Sequence, residues 1–394
     1  MYKGFGAALL VLVAAAARAQ TPLTPENAQV VDRLFSGASQ GALSCQAQLI
    51  KPFLDFSFRF EGGYILRCSI KQFQGKSSSL ITFMRITPEG GGAIILGDRF
   101  ALPSLPAEMQ GKINWKHLSV EAELSGVFVM GEGTYQVDLL VLDDRMRAFR
   151  KSWKTSALAH GNEKHATITM PPNSAASAMI WPAQVNRNAG EDGNRLRLTV
   201  LLDAAPIQPY ALKLRAWDRA FLLQSLASLL RDMSYASVRL IAFNLDQRQE
   251  IFRQNDFRSS DFPNLAIALR RLELGTISYR TLQDQRGWSE LLAKLVNDEQ
   301  AAEEPSDAVI FLGPRVRIDA KVPRELLKLE GATPRFFYFE YFPTWGRDFP
   351  DAIHYLTATC KGTVLKLHTP AEFADGIQKM RQKLKQRNEA AAGT

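Results

Sequence analysis

The stretch LTVLLDAAPI ends an apolar run on an acidic side chain. Four or five apolar residues lead directly to Asp203, a pattern typical of a buried parallel strand that carries a carboxylate to a site at its C-terminal end. Such a carboxylate can bind a metal ion or pair with a cation. The next residues, Ala204 to Ile207, have no side-chain oxygen, so the sequence raises the question of what this carboxylate binds.

Other residues that could do chemistry are few. The sequence has no G-x-G-x-x-G after a strand, no G-x-x-x-x-G-K-[ST] and no G-x-S-x-G elbow between a strand and a helix. The usual motifs of dinucleotide binding, phosphate binding and α/β-hydrolase chemistry are therefore missing. His160 and His165 lie beside a segment rich in Pro, Asn and Gly, where a solvated loop is favoured over a metal site. We expect no catalytic residue, bound metal or cofactor.

The elements that position Asp203 follow an alternating order. Strand-length apolar runs such as LRLTVLLD, VRLIAFN, DAVIFL and RFFYFEY are separated by helical stripes, the longest from Leu214 to Met233. Short helices are expected at 288–297 and 323–329, and the last helix opens with the capping box Thr369-Pro370-Ala371-Glu372. This order predicts an α/β doubly wound domain over residues 196–386, with a mostly parallel sheet and helices on both faces.

The preceding part of the chain has a two-residue period. Six to eight short strands, separated by Gly- and Pro-rich turns, fall within residues 43–155 and predict an all-β immunoglobulin-like sandwich. Alternation points Cys45 and Cys68 inward, where a disulfide and two buried free thiols are both open. We expect an N-terminal helical segment at 20–42 and a linker at 156–195.

The first 19 residues have the pattern of a secretory signal peptide. Lys3 precedes the apolar stretch 6–17, and Ala17-Arg18-Ala19 offers an A-x-A cleavage site; an uncleaved anchor is the alternative. No later stretch reaches 18 apolar residues, so we expect a secreted or periplasmic chain without a transmembrane segment. The end of the chain, 387–394, is expected to be disordered. The net charge of +8 suits an acidic partner or simple solubility.

The C-terminal half resembles the von Willebrand factor type A domain. The likeness covers about half of the chain. In that family, Asp-x-Ser-x-Ser at the end of the first strand, a later Gly-Thr and an Asp-Gly after the fourth strand form a metal-ion-dependent adhesion site for magnesium or manganese. Here Asp203 and Thr276 match, Ala205 and Ile207 replace the two serines, and Gly313 stands in place of the second aspartate. The resemblance therefore implies a degenerate site.

Because Mg²⁺ prefers several oxygen ligands in octahedral order, we expect this site to bind no metal. An unpaired buried carboxylate is costly, so we predict that Arg315 or a backbone N–H pairs with Asp203; a solvated Asp203 at the mouth of the sheet is the alternative. The segments GEGTYQV, DDRMRAFRKSW and LGTISYRTL are also similar to exported von Willebrand factor A-related bacterial proteins. That likeness implies an extracytoplasmic protein without an assigned chemistry.

Three functions fit these observations. The first is a non-catalytic interaction, adhesion or scaffold protein with partners in the cell envelope. Its anchors would be the aromatic residues after the fifth strand of the α/β domain, which could equally cover the sheet edge: Tyr341, Phe342, Trp345 and Phe349. The second is an envelope hydrolase with an unrecognised site. The third is a binder of an acidic polymer through Lys379, Arg381, Lys383, Lys385 and Arg387, although export argues against nucleic acid.

Overall fold

A computed structural model describes residues 20–37, 39–73, 79–102, 121–178, 196–208, 211–275, 286–329, 334–342 and 349–392, with side chains up to 386. The chain divides into two compact units. The first comprises Met1–His160 and Ile168–Trp181, and the second Gly161–Thr167 and Pro182–Thr394. His117, Trp345 and Thr276 lie outside the described residues.

The described part of the first unit consists of two antiparallel sheets and one helix. One sheet has the order β1-β5-β4-β7-β8 and the other β2-β3-β6-β9. The elements are β1 (Thr21–Pro22), α1 (Pro25–Ser36), β2 (Cys45–Leu54), β3 (Phe60–Ser69), β4 (Ser79–Pro88), β5 (Ile94–Ala101), β6 (Glu121–Met130), β7 (Gly133–Asp143), β8 (Ala148–Ala157) and β9 (Ala175–Ser177). The described part of the first unit is therefore rich in strands, as the two-residue period predicts.

Cys45 and Cys68 face each other across the β2–β3 pair. Their Cα atoms lie 4.1 Å apart and the two sulfurs form a disulfide. The side chain of Cys68 is fully buried, as the inward alternation of that strand requires. Of the two alternatives that the sequence leaves open, the structure has the bridge.

The interval 156–195, expected to be a linker, differs from that expectation where the structure describes it. Strand β9 lies inside the interval and pairs with β6, and a 3-10 turn at Gly161–His165 belongs to the second unit. Polar, Pro- and Asn-rich composition suggested a loop, but a three-residue strand needs only backbone hydrogen bonds and leaves no periodic pattern.

The second unit is built on a six-stranded sheet with the order β12-β11-β10-β13-β14-β15. All neighbouring pairs are parallel except β11–β12. Its elements are β10 (Leu196–Asp203), α2 (Ala216–Asp232), β11 (Tyr235–Asn244), β12 (Gln249–Gln254), α3 (Phe262–Arg271), α4 (Gly287–Gln300), β13 (Ala308–Pro314), β14 (Arg335–Tyr341), α5 (Ala352–Thr359), β15 (Thr363–Leu367) and α6 (Pro370–Ala392). The prediction of a mostly parallel α/β sheet is confirmed.

Helices cover both faces of this sheet. On one face, Leu201, Phe311 and Tyr338 share a buried cluster with residues of α4 and α5. On the other, Phe339 packs edge-on against Phe373 of α6, with ring centroids 5.4 Å apart. Tyr338 and Phe339 are adjacent in β14 and lie on opposite faces, because successive side chains of a strand point in opposite directions.

The local elements of this unit follow the sequence only in part. The capping box of α6 is confirmed, since the Thr369 hydroxyl accepts from the backbone of Glu372 and the Glu372 carboxylate accepts from the backbone of Thr369. The helix expected at 323–329 is wrong: only a 3-10 turn, Arg324–Leu326, is present. Sequence reasoning also missed β12 and α5, which are too short to show a clear period.

The order of strands reverses at β10. Its two neighbours, β11 and β13, lie on opposite sides and both run parallel to it. In doubly wound sheets, ligands bind outside the carboxyl ends of the strands at such a switch point. Asp203, Asn244 and Gly313 lie at these three strand ends. Within the described ranges, no helix is long and apolar enough to cross a membrane.

Candidate functional site at the carboxyl end of the sheet

Asp203 is a buried carboxylate that receives no hydrogen bond from the part of the chain that the structure describes. Its side chain is 1% exposed, and no group in the described ranges donates to Oδ1 or Oδ2. Burial raises the pKa of Asp203 well above its ordinary value, and the nearby charges of Asp246 and Asp351 raise it further. The alternative of a solvated carboxylate at the mouth of the sheet is therefore wrong, and no described backbone N–H pairs with Asp203 as the prediction allowed.

Arg315, expected to pair with Asp203, pairs instead with Glu340. Its Nε donates to Glu340 Oε1 across 2.6 Å, and the side chains of the two residues are 8% and 0% exposed. The reason lies in strand order: β13 lies between β10 and β14, so a side chain following β13 has a strand end on each side. The guanidinium also stacks over Phe342, 3.9 Å from the ring centroid, on the β14 side.

A second carboxylate, Asp351, joins three elements at this end of the sheet. It is the N-cap of α5 and accepts the backbone N–H of His354 at 2.7 Å. It also accepts the backbone N–H of Val316 at 2.8 Å and the hydroxyl of Tyr338 at 2.9 Å. Burial is the main cause that raises the pKa of Asp351 to about 6, against these hydrogen bonds. Glu340 completes the network, with Oε2 at 3.2 Å from Nδ1 of His354.

Sequence reasoning missed Glu340, Asp351, Tyr338 and His354. Glu340 was hidden in the aromatic run RFFYFEY, although period-2 alternation places it on the same face as the buried Phe336 and Tyr338. Asp351 could have been found as an acidic residue immediately before a short apolar stretch, where an N-cap is common.

The residues present do not fit the metal ion that the family resemblance implies. Ala205 and Ile207 supply no side-chain oxygen, and the backbone N–H of Ile207 donates to Asp218 at 3.0 Å. A Cβ at Gly313 would lie 2.8 Å from both Cβ and O of Asp203, so the β10 backbone closes the position of the second aspartate. No group of three potential His, Cys, Asp or Glu ligands occurs in the described part of the chain.

The aromatic residues expected at an interface are partly packed. Tyr341 lies against Phe221 with ring centroids 4.5 Å apart. Phe342 is 7% exposed and contacts the ring of His368, while Phe349 faces the guanidinium of Arg315 at 5.3 Å. Phe342 thus covers the sheet edge, which was the alternative reading of this cluster.

Two exposed apolar side chains at the same end escaped sequence reasoning. Leu212 is 73% exposed and Trp217 is 43% exposed, and both lie between the carboxyl end of β10 and the first turn of α2. The helical spacing of Trp217 suggested a core position. Trp217 lies instead in the first turn of α2, where its side chain is about half exposed. Only its position at the start of the helix could have indicated this.

Two other sequence features form no site. Residues 37–41 read G-x-S-x-G, but they follow helix α1 and precede strand β2, the reverse of the strand-to-helix order of a nucleophile elbow. His165 lies in the 3-10 turn with Nδ1 3.9 Å from Asp375, and its side chain is largely exposed.

No protein-family model and no curated protein matches the chain. Among solved structures, the chain is similar to the ArnB paralog VWA2 from Sulfolobus acidocaldarius, with 13% identity over 62% of this chain and 49% of that chain and a TM-score of 0.27.

Two glycoside hydrolases match more weakly. A glycosyl hydrolase family 2 member from Bacteroides cellulosilyticus DSM 14838 has 14% identity over 76% of this chain and 36% of that chain, with a TM-score of 0.19. A calcium-binding mutant of Bacteroides uniformis beta-glucuronidase 2 has 8% identity over 77% and 37%, with a TM-score of 0.20. The chain spans half or less of each of these three proteins. With TM-scores this low, these similarities give no information about the activity of the chain.

Proposed function

We propose that the carboxyl end of the second unit's sheet is a protein-binding surface that works without a bound metal ion. The observation that supports this most directly is Asp203, a buried carboxylate at a strand switch point that lacks a donor among the described residues. Switch points are the usual binding places of doubly wound sheets. The non-catalytic reading is favoured because the network of Arg315, Glu340 and Asp351 holds strand ends together. The one hydroxyl described beside its carboxylates, that of Tyr338, is fully buried and therefore out of reach of a substrate.

The proposal includes the setting of the protein. The pattern of residues 1–19 supports export to the periplasm or beyond, and a disulfide between Cys45 and Cys68 suits an oxidising compartment. We propose that the second unit is a degenerate von Willebrand factor A-like domain and the first an immunoglobulin-like sandwich. In the first unit, the hydroxyl of Tyr135 donates to the backbone of Gly131 at 2.9 Å, which is similar to a tyrosine corner.

Leu212 and Trp217 are the proposed anchors of the surface. Tryptophan is enriched among residues that carry most of an interface's binding energy, and half-exposed large side chains gain by burial against a partner. Trp345 remains a predicted anchor, and Tyr341, which is partly buried, is a predicted contact at its edge.

A pull-down from cell-envelope extract tests this proposal. The tagged full chain is compared with the double variant Leu212→Ala/Trp217→Ala, with Tyr341→Ala/Trp345→Ala, and with Phe53→Ala as a control. Phe53 is 48% exposed on β2 of the first unit, so it matches the loss of exposed apolar area. We expect at least one partner to be lost with the first pair, kept with the control, and unaffected by a chelator.

Recovery of the same partners in the same yield from both double variants would exclude this end of the sheet as the contact. Loss of a partner on chelation would contradict a metal-independent surface. A hydrolase and a binder of acidic polymers remain the alternatives. Turnover that disappears in Asp203→Ala would favour the first, and steeply salt-dependent binding lost on deletion of 379–394 would favour the second.

A further inference from the structure

The cleft beside Asp203 is small. Its lining includes Asp203, Asn244, Asp246 and Arg315, and its volume is about 20 Å³, which is room for about one water-sized group. The Asn244 side chain is engaged, since its Nδ2 donates to the Ala204 carbonyl at 2.8 Å and its Oδ1 accepts a backbone N–H. Among the buried side-chain atoms of the described cleft lining, the two oxygens of Asp203 are the ones that lack a hydrogen bond.

The charges around the cleft favour a cation. Asp246 and Asp351 act on Asp203 with like charge. Two cations also line the cleft. The positive charge of Arg315 is balanced by the buried Glu340, and Arg317 is exposed to solvent, which screens its charge. A cation at Asp203 would therefore take the place of the proton that burial favours and pair with the carboxylate, whereas an anion would add to the repulsion.

We propose that this cleft takes a primary ammonium group, presented by a lysine side chain of the partner protein; this rests on the proposed function. An ammonium group is compact, carries three donors and ends a slender, flexible stem, so it fits a water-sized cleft and reaches a carboxylate below the surface. The planar guanidinium of arginine is wider. A divalent metal ion needs more oxygen ligands than Asp203 and Asp246 provide.

Small-molecule probes test the inference on the full chain. Nα-acetyl-lysine methylamide is compared with the norleucine analogue, which lacks the ammonium group, and with the arginine analogue, by calorimetry and melting temperature. We expect saturable binding of the lysine analogue in the millimolar range, at least tenfold tighter than either comparison compound. A ligand that binds only the native state must also raise the melting temperature.

Three variants locate the binding. Asp203→Asn should abolish the response to the lysine analogue, and Asp246→Asn should weaken it several-fold. Glu250→Gln, on the edge strand β12, is the matched control and should leave it unchanged. Because Asp246 is exposed, its variant tests the cleft even where Asp203→Asn alters the stability of the fold.

Several outcomes would overturn the inference, and one comparison separates it from the proposed surface. Equal binding of the norleucine analogue would mean apolar contact only, and an unchanged response in Asp203→Asn would place binding elsewhere. A rise in melting temperature with Mg²⁺ alone, lost in Asp203→Asn, would mean that a metal takes the cleft. If the lysine analogue does not bind but Leu212→Ala/Trp217→Ala loses the partner, the ammonium site is refuted and the surface is kept. If the lysine analogue binds but this double variant keeps the partner, the surface is refuted.

Discussion

Arg315 forms its ion pair with Glu340, across 2.6 Å between Nε and Oε1, and leaves Asp203 on the neighbouring strand without a hydrogen bond from the described residues. Arg315, the cation next to the strand switch point, therefore points toward β14, where it contacts Glu340 and Phe342. Glu340 receives Arg315 on one oxygen and has His354 at 3.2 Å from the other. The end of the sheet is held together by this pair and by Asp351, while the carboxyl group of Asp203 is buried without a hydrogen-bond donor among the described residues.

Removing Arg315 should destabilise the protein strongly. Arg315→Ala leaves Glu340, whose side chain is 0% exposed, without its main cation. Breaking one partner of a buried pair costs about 3–5 kcal/mol. The measurement is the free energy of unfolding in urea.

Two further variants make that test specific. Arg317→Ala, an exposed arginine on the same segment, should cost less than about 1 kcal/mol. Arg315→Ala combined with Glu340→Gln should recover part of the loss, because a neutral amide needs no cation. Equal stability of Arg315→Ala and Arg317→Ala would show that the pair contributes little.

The sequence predicted the position of Asp203 but not its surroundings. The run LTVLL requires a buried strand, and a polar residue that ends such a run must lie at the strand's carboxyl end. The partner of Arg315 depended on which strands flank β13, and that order is set by the packing of helices on both faces. Asp203 is the last residue of β10 and Glu340 is the last but one of β14, so spacing along the chain could not choose between them.

The closure at Gly313 was also beyond sequence reasoning. A glycine in place of an expected aspartate reads as a lost ligand. Only the distance between adjacent backbones shows that no side chain fits, because a Cβ there would lie 2.8 Å from Asp203. Helix α5 escaped because eight residues give barely two turns of periodicity.

Asp203 should make the protein less stable as the pH rises. Its folded-state pKa lies well above the ordinary 3.8, so the native state keeps a proton that the unfolded chain has released. This contribution to stability is fully present below about pH 4 and is lost as the pH approaches the folded pKa. Asp351, with a pKa of about 6, adds to the same fall between about pH 4 and 6.

Replacing Asp203 by Asn removes its share of that fall. The free energy of unfolding of Asp203→Asn, measured from pH 4 to 8, should decline less with pH than that of the unmodified protein. The variant should also be the more stable of the two at pH 8. Asp319→Asn, at an exposed carboxylate, should follow the unmodified curve. Parallel curves for all three proteins would mean that Asp203 is ionised in the folded state.

The disulfide should contribute substantially to the first unit. Cys45 and Cys68 are 23 residues apart in sequence, and closing a loop of that length stabilises a protein by about 3 kcal/mol in the chain-entropy account. Cys45→Ser/Cys68→Ser should therefore lower the free energy of unfolding by about that amount, as should a reductant. Cys360→Ser is the control for thiol loss. Alkylation of three thiols without prior reduction would show that the bridge is absent.

Gly313 should tolerate no side chain, so substitutions should not restore a metal site. Gly313→Ala forces Cβ against the Asp203 backbone and should cost about 1–3 kcal/mol as overpacking. Gly92→Ala, with no atom within 4 Å of its Cβ, should cost less than about 0.5 kcal/mol. The double variant Ala205→Ser/Ile207→Ser restores two hydroxyl groups. It should still give no rise in melting temperature with millimolar Mg²⁺, because no ligand side chain fits at position 313. A rise of several degrees in that variant, absent in the unmodified chain, would show that the strand ends can open enough to hold the ion.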